Sequence, residues 1–107
     1  MKLNAYLTNG NLFDILYYMP IKAICYDYLD NSAYIDSPKL KKSGNGLIFE
    51  NKSNSFTMNH MEYFTNVDFI MNGGVLFNST NEELFMIYTD EWEVVKSRLI
   101  EYGYLNN

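Results

Sequence analysis

The sequence predicts an α+β domain: a small antiparallel sheet of about five or six strands, with an N-terminal helix and a C-terminal helix. Three observations predict it. Short runs of β-branched and aromatic residues recur between clusters of Asn, Gly and Ser. The segment VDFIMNGGVLFN sets Asn72-Gly73-Gly74 between two apolar runs, where positive φ angles close a tight hairpin. Segments near both ends carry apolar residues at helical spacing.

The elements follow in order. KLNAYLTNGN has a short apolar stretch and then a turn at Asn9-Gly10. In NLFDILYYMP, Leu12, Ile15, Leu16 and Met19 share one helix face. Asn11 can cap that helix, and Pro20 ends it by excluding the α region at the residue before it. IKAICYDYL is apolar on both faces and suits an inner strand. LDNS is a turn into AYID, which makes a hairpin partner. Residues 37–46, SPKLKKSGNG, read as a solvated loop bearing Lys39, Lys41 and Lys42 rather than as a phosphate site. LIFE and SFTM flank NKSN as another hairpin, and NHMEYFTN fits one helical turn or irregular chain equally well. LFMIY reads as a strand, although Leu84, Phe85 and Tyr88 also fit a helix. In the last segment Trp92, Val95, Leu99 and Tyr102 share a helix face, with Asp90 at the N-cap, Glu93 at N3 and Gly103 at C′.

Composition bounds the function. A chain of 107 residues with 48% hydrophobic residues is one domain, residues 1–107, able to build a core. No apolar run reaches the roughly 18 residues of a membrane span, and no basic-then-apolar leader opens the chain. Cys25 is the single cysteine, which excludes an internal disulfide and suits a reducing, cytoplasmic setting. Frequent Asn, Tyr, Ile and Lys, with no Gln, follow AT-rich codons, as in low-GC bacteria and their phages. The net charge of −5 is uneven: residues 1–58 carry +1 and residues 59–107 carry −6. Direct nucleic-acid binding is disfavoured, because phosphate contacts need Lys and Arg.

Residues 82–93, EELFMIYTDEWE, hold five carboxylates and no basic residue. Asp90, Glu91 and Glu93 suit a helix cap and first turn, where the macrodipole favours negative charge by roughly 0.3–1 kcal/mol per group. Glu82 and Glu83 lie in a turn before the strand. An extended 84–88 spans about 17 Å, so the two acidic ends are too far apart for a glycosidase-type carboxyl pair, which needs roughly 5–9.5 Å. The same acids also suit a surface facing a basic partner.

Ten Tyr and seven Phe add aromatic anchors. Tyr26 and Tyr102 are expected in the core, and Tyr17, Tyr18 and Tyr104 at the surface, because a phenol seeks water or a partner. The candidate partner-binding set is therefore Glu82, Glu83, Asp90, Glu91, Glu93, Tyr17, Tyr18 and Tyr104.

No catalytic, metal or cofactor site is expected. His60 is the single histidine, and a Cys25–His60 nucleophile pair lacks any supporting context. His60-x-Glu62 supplies too few ligands for zinc, and no GxGxxG, P-loop, HExxH or calcium loop occurs. The expected function is a small acidic inhibitor that occupies a basic surface of a nucleic-acid-processing enzyme. Its most specific form is a phage-encoded, anti-CRISPR-like antagonist of a host defence system, with no membrane partner. The alternatives are a self-associating module, a homodimer through a strand edge of the 67–78 hairpin, and an immunity protein or antitoxin that neutralises a cognate toxin.

Overall fold

The structure, a computed structural model, describes residues 1–44, 46–58 and 64–107. Its elements are β1 (Lys2–Leu7), α1 (Asn9–Leu16), β2 (Ala23–Tyr28), β3 (Asn31–Asp36), β4 (Lys39–Ser43), β5 (Gly46–Glu50), β6 (Ser55–Met58), β7 (Phe64–Ile70), β8 (Gly74–Asn78), β9 (Leu84–Tyr88) and α2 (Trp92–Glu101). All pairings are antiparallel. One six-stranded sheet has the order β1-β7-β8-β9-β2-β3, and a three-stranded sheet has the order β4-β5-β6. The fold is α+β with an N-terminal and a C-terminal helix, as the sequence predicts. No helix among the described residues is long and apolar enough to cross a membrane.

Local chemistry accounts for most of these elements. β2 is an inner strand, flanked by β3 and β9. The β7–β8 hairpin closes at Ile70 and Gly74, and its turn needs left-handed backbone at Asn72 (φ 68°) and Gly73 (φ 80°). The β5–β6 turn is an Asx turn, in which Asn51 Oδ1 accepts from the amides of Ser53 (2.9 Å) and Asn54 (2.8 Å). α2 ends in a Schellman motif: Tyr104 N donates to Leu99 O (2.8 Å) and Gly103 N to Ile100 O (3.0 Å), with Gly103 at φ 84°.

Several local expectations are corrected. Asn9-Gly10 is the first turn of α1 rather than a loop, and Thr8 caps the helix instead of Asn11. Thr8 Oγ1 accepts from Asn11 N, while Asn9 is drawn inward and donates from Nδ2 to Met58 O. Residues 39–43 form strand β4 rather than part of a loop, because β5 supplies the ladder that local composition cannot reveal. Its lysines suit a sheet edge: Lys41 pairs with Glu50, and Lys42 lies over the Phe13 ring. Tyr102 is 57% exposed rather than core, since the helix stops at Glu101 and the Gly103 turn sends Tyr104 and Leu105 inward. β7 and β8 are both interior strands, so the 67–78 hairpin offers no free edge for self-association. NHMEYFTN falls largely on residues 59–63, outside the described residues, and its Phe64 opens β7.

The core lies between the inner face of the large sheet, the small sheet and both helices. Leu12, Ile15 and Leu16 enter from α1, and Val95 and Leu99 from α2. Phe85 joins the two sheets, with ring centroids 5.2 Å from Phe49, 6.1 Å from Phe64 and 6.2 Å from Phe77.

The outer face of the large sheet is different. Cross-strand register aligns Asp68, Leu76, Met86, Cys25 and Tyr34 in one row across β7, β8, β9, β2 and β3. A parallel row passes through Ile70, Gly74, Tyr88, Ala23 and Asp36, and another through Asn66, Asn78, Leu84, Asp27 and Ser32. Ile70 and Tyr88 pack over Gly74, where a Cβ would lie 3.0 Å and 3.5 Å from their carbons. Both helices and the small sheet pack on the opposite face.

Candidate functional site

Four of the eight sequence-predicted residues converge at one corner, where the chain leaving α1 meets the start of α2. Three side chains build it. Arg98, on α2, donates from Nη1 to Ile15 O (2.9 Å) and Tyr17 O (2.8 Å), closing the carbonyl end of α1. Thr89, buried at the end of β9, donates from Oγ1 to Pro20 O (2.7 Å) and accepts from Glu91 N (3.0 Å). Its backbone N donates to Gly73 O (3.0 Å), which ties the corner to the β7–β8 turn. Lys22 and Asp90 form an exposed ion pair of 2.9 Å, worth no more than about 1 kcal/mol.

Held by this frame, Tyr17 and Tyr18 stand in solvent. Tyr18 has φ 57°, a left-handed conformation uncommon for a residue with a Cβ, and its side chain is 86% exposed. Its ring lies 4.1 Å from that of Tyr17, which lies 5.0 Å from Phe13. A hydrogen bond with Tyr18, and then charge repulsion from it, raise the Tyr17 phenol above its ordinary pKa, so Tyr17 stays protonated further into alkaline pH. Beside the pair is a cleft of about 200 Å³, lined by Tyr18, Met19, Pro20, Glu91, Val94 and Arg98.

The structure thus brings together Tyr17, Tyr18, Asp90 and Glu91. It separates the other candidates. Glu93 is one residue from Val94 on α2, a rotation of about 100° away from the cleft. Glu82 is exposed but sits beyond the far end of β9. Two expectations are overturned. Glu83 is fully buried: Glu82 takes φ 63°, and the bonds Ser79 N to Glu83 O (3.0 Å) and Glu83 N to Ser79 Oγ (3.2 Å) turn the Glu83 side chain inward. A substitution there tests folding rather than binding. Tyr104 is also buried, folded back by Gly103, with its hydroxyl accepting from Asn11 Nδ2 (2.5 Å).

The α2 cap is corrected too. Asp90 lies outside the helix, Glu91 is the capping residue without a side-chain cap bond, and Thr89 supplies the oxygen that meets the Glu91 amide. Sequence reasoning missed both Thr89 and Arg98. Thr89 immediately before three acids and a tryptophan was the available signal for a cap. A lone arginine reaching another helix leaves no local signal.

Among the described residues, no three His, Cys, Asp or Glu side chains gather to hold a metal. His60 and Glu62 lie outside the described residues. Cys25 is half-buried on the outer sheet face, and desolvation by burial raises its pKa. The folded thiol therefore stays protonated at pH values where the unfolded thiol ionises, so its contribution to stability declines as pH rises above the ordinary thiol range. Iodoacetamide at about pH 8 should modify native Cys25 several-fold more slowly than the urea-unfolded chain, as mass spectrometry would record. Equal rates would mean that the thiol is open to solvent.

No protein-family model, curated protein or solved structure matches this chain.

Proposed function

We propose that this protein is a small acidic inhibitor that seats the Tyr17–Tyr18–Asp90–Glu91 corner on a basic surface of a protein partner. The target class is an enzyme that handles nucleic acid, whose phosphate-binding surface offers the Lys and Arg that carboxylates pair with. The mechanism is steric occupation. Tyr18 supplies rigid aromatic area, and Asp90 and Glu91 steer the approach. With AT-rich residue usage, a phage protein acting against a host nuclease or defence complex, in the manner of an anti-CRISPR, is the specific form of this reading.

The observation that carries the proposal is the backbone of Tyr18. A left-handed L-residue costs roughly 1–2 kcal/mol relative to ordinary backbone, and here it holds an aromatic ring out into water. Strain of this kind collects at functional positions. Core packing gains nothing from so exposed a ring, and Glu91 beside it, joined by Asp90 when its exposed Lys22 pair exchanges, suits a cationic partner.

Tyr18→Gly separates function from stability. Glycine accepts this φ freely, so unfolding free energy should stay level or rise by up to about 1 kcal/mol. Partner affinity should fall more than about tenfold, as for an interface anchor. Glu91→Lys should weaken binding similarly, and the wild-type interaction should weaken between about 50 and about 200 mM salt. The measurement is capture of the tagged protein's partner from host lysate, followed by titration with the purified partner. Binding indifferent to both substitutions and to salt would sink the reading.

A further inference from the structure

The outer face of the six-stranded sheet raises a question that the corner does not. β9 is apolar on both sides, and its outward Met86 lies in one row with Leu76 of β8 and Cys25 of β2, yet among the described residues the helices and the small sheet cover only the opposite face. On the outer face, Leu76, Met86 and Cys25 are half-buried and Tyr34 is 61% exposed, with Leu84 and Ile70 also exposed. An apolar strip along β9 and its neighbours, rimmed by Asp68, Asn78, Asp27 and Asp36, has the form of an interaction surface.

We propose that this face is the interface of a two-fold homodimer, packed sheet against sheet, with the axis lying along β9. The occupant follows from the order of residues in the rows. An axis along β9 carries β7 over β3 of the second copy, β8 over β2, and β9 over itself. In the central row Asp68 then faces Tyr34 of the second copy, Leu76 faces Cys25, and Met86 faces Met86. A phenol meets a carboxylate at each end, and apolar groups meet in the middle. Asp68 already accepts from the Met1 ammonium (2.7 Å), and a carboxylate has capacity for a further donor. In the next row Asn78 faces Asp27, an amide donor over a carboxylate. The mismatch is Ile70 over Asp36, at the margin of the sheet.

The other in-plane axis, across the strands, is disfavoured, because it sets Asp68 against Asp68. Aligned sheets pack about 10 Å apart and about 30° from parallel, which accommodates these pairings with some lateral offset.

The area sets the strength. Five overlapping strands, each about 4.8 Å wide, and five residues of about 3.4 Å give a plane of roughly 400 Å². Both copies together then bury roughly 800 Å², below the range of stable specific interfaces and in that of weak, transient ones. Area alone does not fix affinity, but a contact this small makes a transient dimer, for which we take an expected Kd of about 10–100 µM.

Sedimentation velocity from about 1 to about 500 µM tests this, spanning the expected Kd. Wild type should pass from monomer to dimer. Met86→Lys sets two cations face to face on the axis and should leave only monomer, and Leu76→Lys should do the same. Thermal unfolding confirms that each variant is folded. Tyr34→Lys places a cation over Asp68 of the second copy and should dimerise at least tenfold more tightly than Tyr34→Asp. Tyr102→Lys and Tyr102→Asp, on an exposed residue outside this face, control for net charge and should not differ. A monomer throughout the range overturns the proposal. So does a dimer untouched by Met86→Lys, or a Tyr34 pair that behaves alike, since either places the contact or the axis elsewhere.

Discussion

Phe85→Ala should lower the unfolding free energy by about 3–5 kcal/mol, the range for removing a large buried aromatic. Phe85 is fully buried in β9 and is the residue at which the two sheets meet. Phe49 reaches it from the small sheet, and Phe64 and Phe77 flank it on the large one. Alanine would open a cavity bounded by three rings fixed in separate strands, so little collapse can refill it. For a chain of this size the melting temperature should fall by roughly 12–25 °C. Circular dichroism on heating measures it directly. A loss under about 1 kcal/mol would mean that the two sheets unfold independently and share no core. The variant's residual stability also bears on binding, because β9 runs directly into Thr89 and the aromatic corner.

Gly73→Ala should cost about 2–4 kcal/mol, through two additive causes. At φ 80° any L-residue carries left-handed strain of roughly 1–2 kcal/mol. A Cβ here would also lie 2.5 Å from the carbonyl oxygen of Thr89, a backbone atom that cannot swing aside. Gly103 is the matched control: its φ is 84°, but nothing lies within 4 Å of its Cβ position. Gly103→Ala should therefore show the strain alone, about 1–2 kcal/mol, and the difference isolates the clash. Equal losses in urea unfolding would show that the turn can shift away from β9. Because Thr89 holds both Pro20 and Glu91, Gly73→Ala should also weaken partner binding more than its stability loss alone accounts for.

Much of the architecture was legible in short stretches. The Asn72-Gly73 turn, the inner strand around Ile24 and Tyr26, and the Gly103 stop after α2 all follow from rules acting over a few residues. Tyr17 and Tyr18 were legible as exposed, because a phenol hydroxyl seeks water or a partner; that α1 stops at Leu16, leaving both outside the helix, was not. Glu83 and Tyr104 were misread for a common reason. Each is turned inward by a single left-handed residue just before it, Glu82 and Gly103, and side-chain polarity carries no record of that reversal. Lys39–Ser43 were misread because a strand at a sheet edge draws its hydrogen bonds from β5 and not from its own composition.

What the sequence by itself determined is therefore the class of fold, the main turns, the acidic bias of the second half and the supply of aromatic anchors. All of these rest on propensity, periodicity and charge, which are properties of neighbours along the chain. The tertiary structure alone decided which acids share a surface with which tyrosines. It took Arg98 spanning to the end of α1, and Thr89 bridging Gly73, Pro20 and Glu91, to bring Tyr18 beside Glu91. The strand order likewise decided that one apolar sheet face is covered and the other open. Contacts between residues far apart in sequence set both outcomes, and such contacts have no signature in any local window.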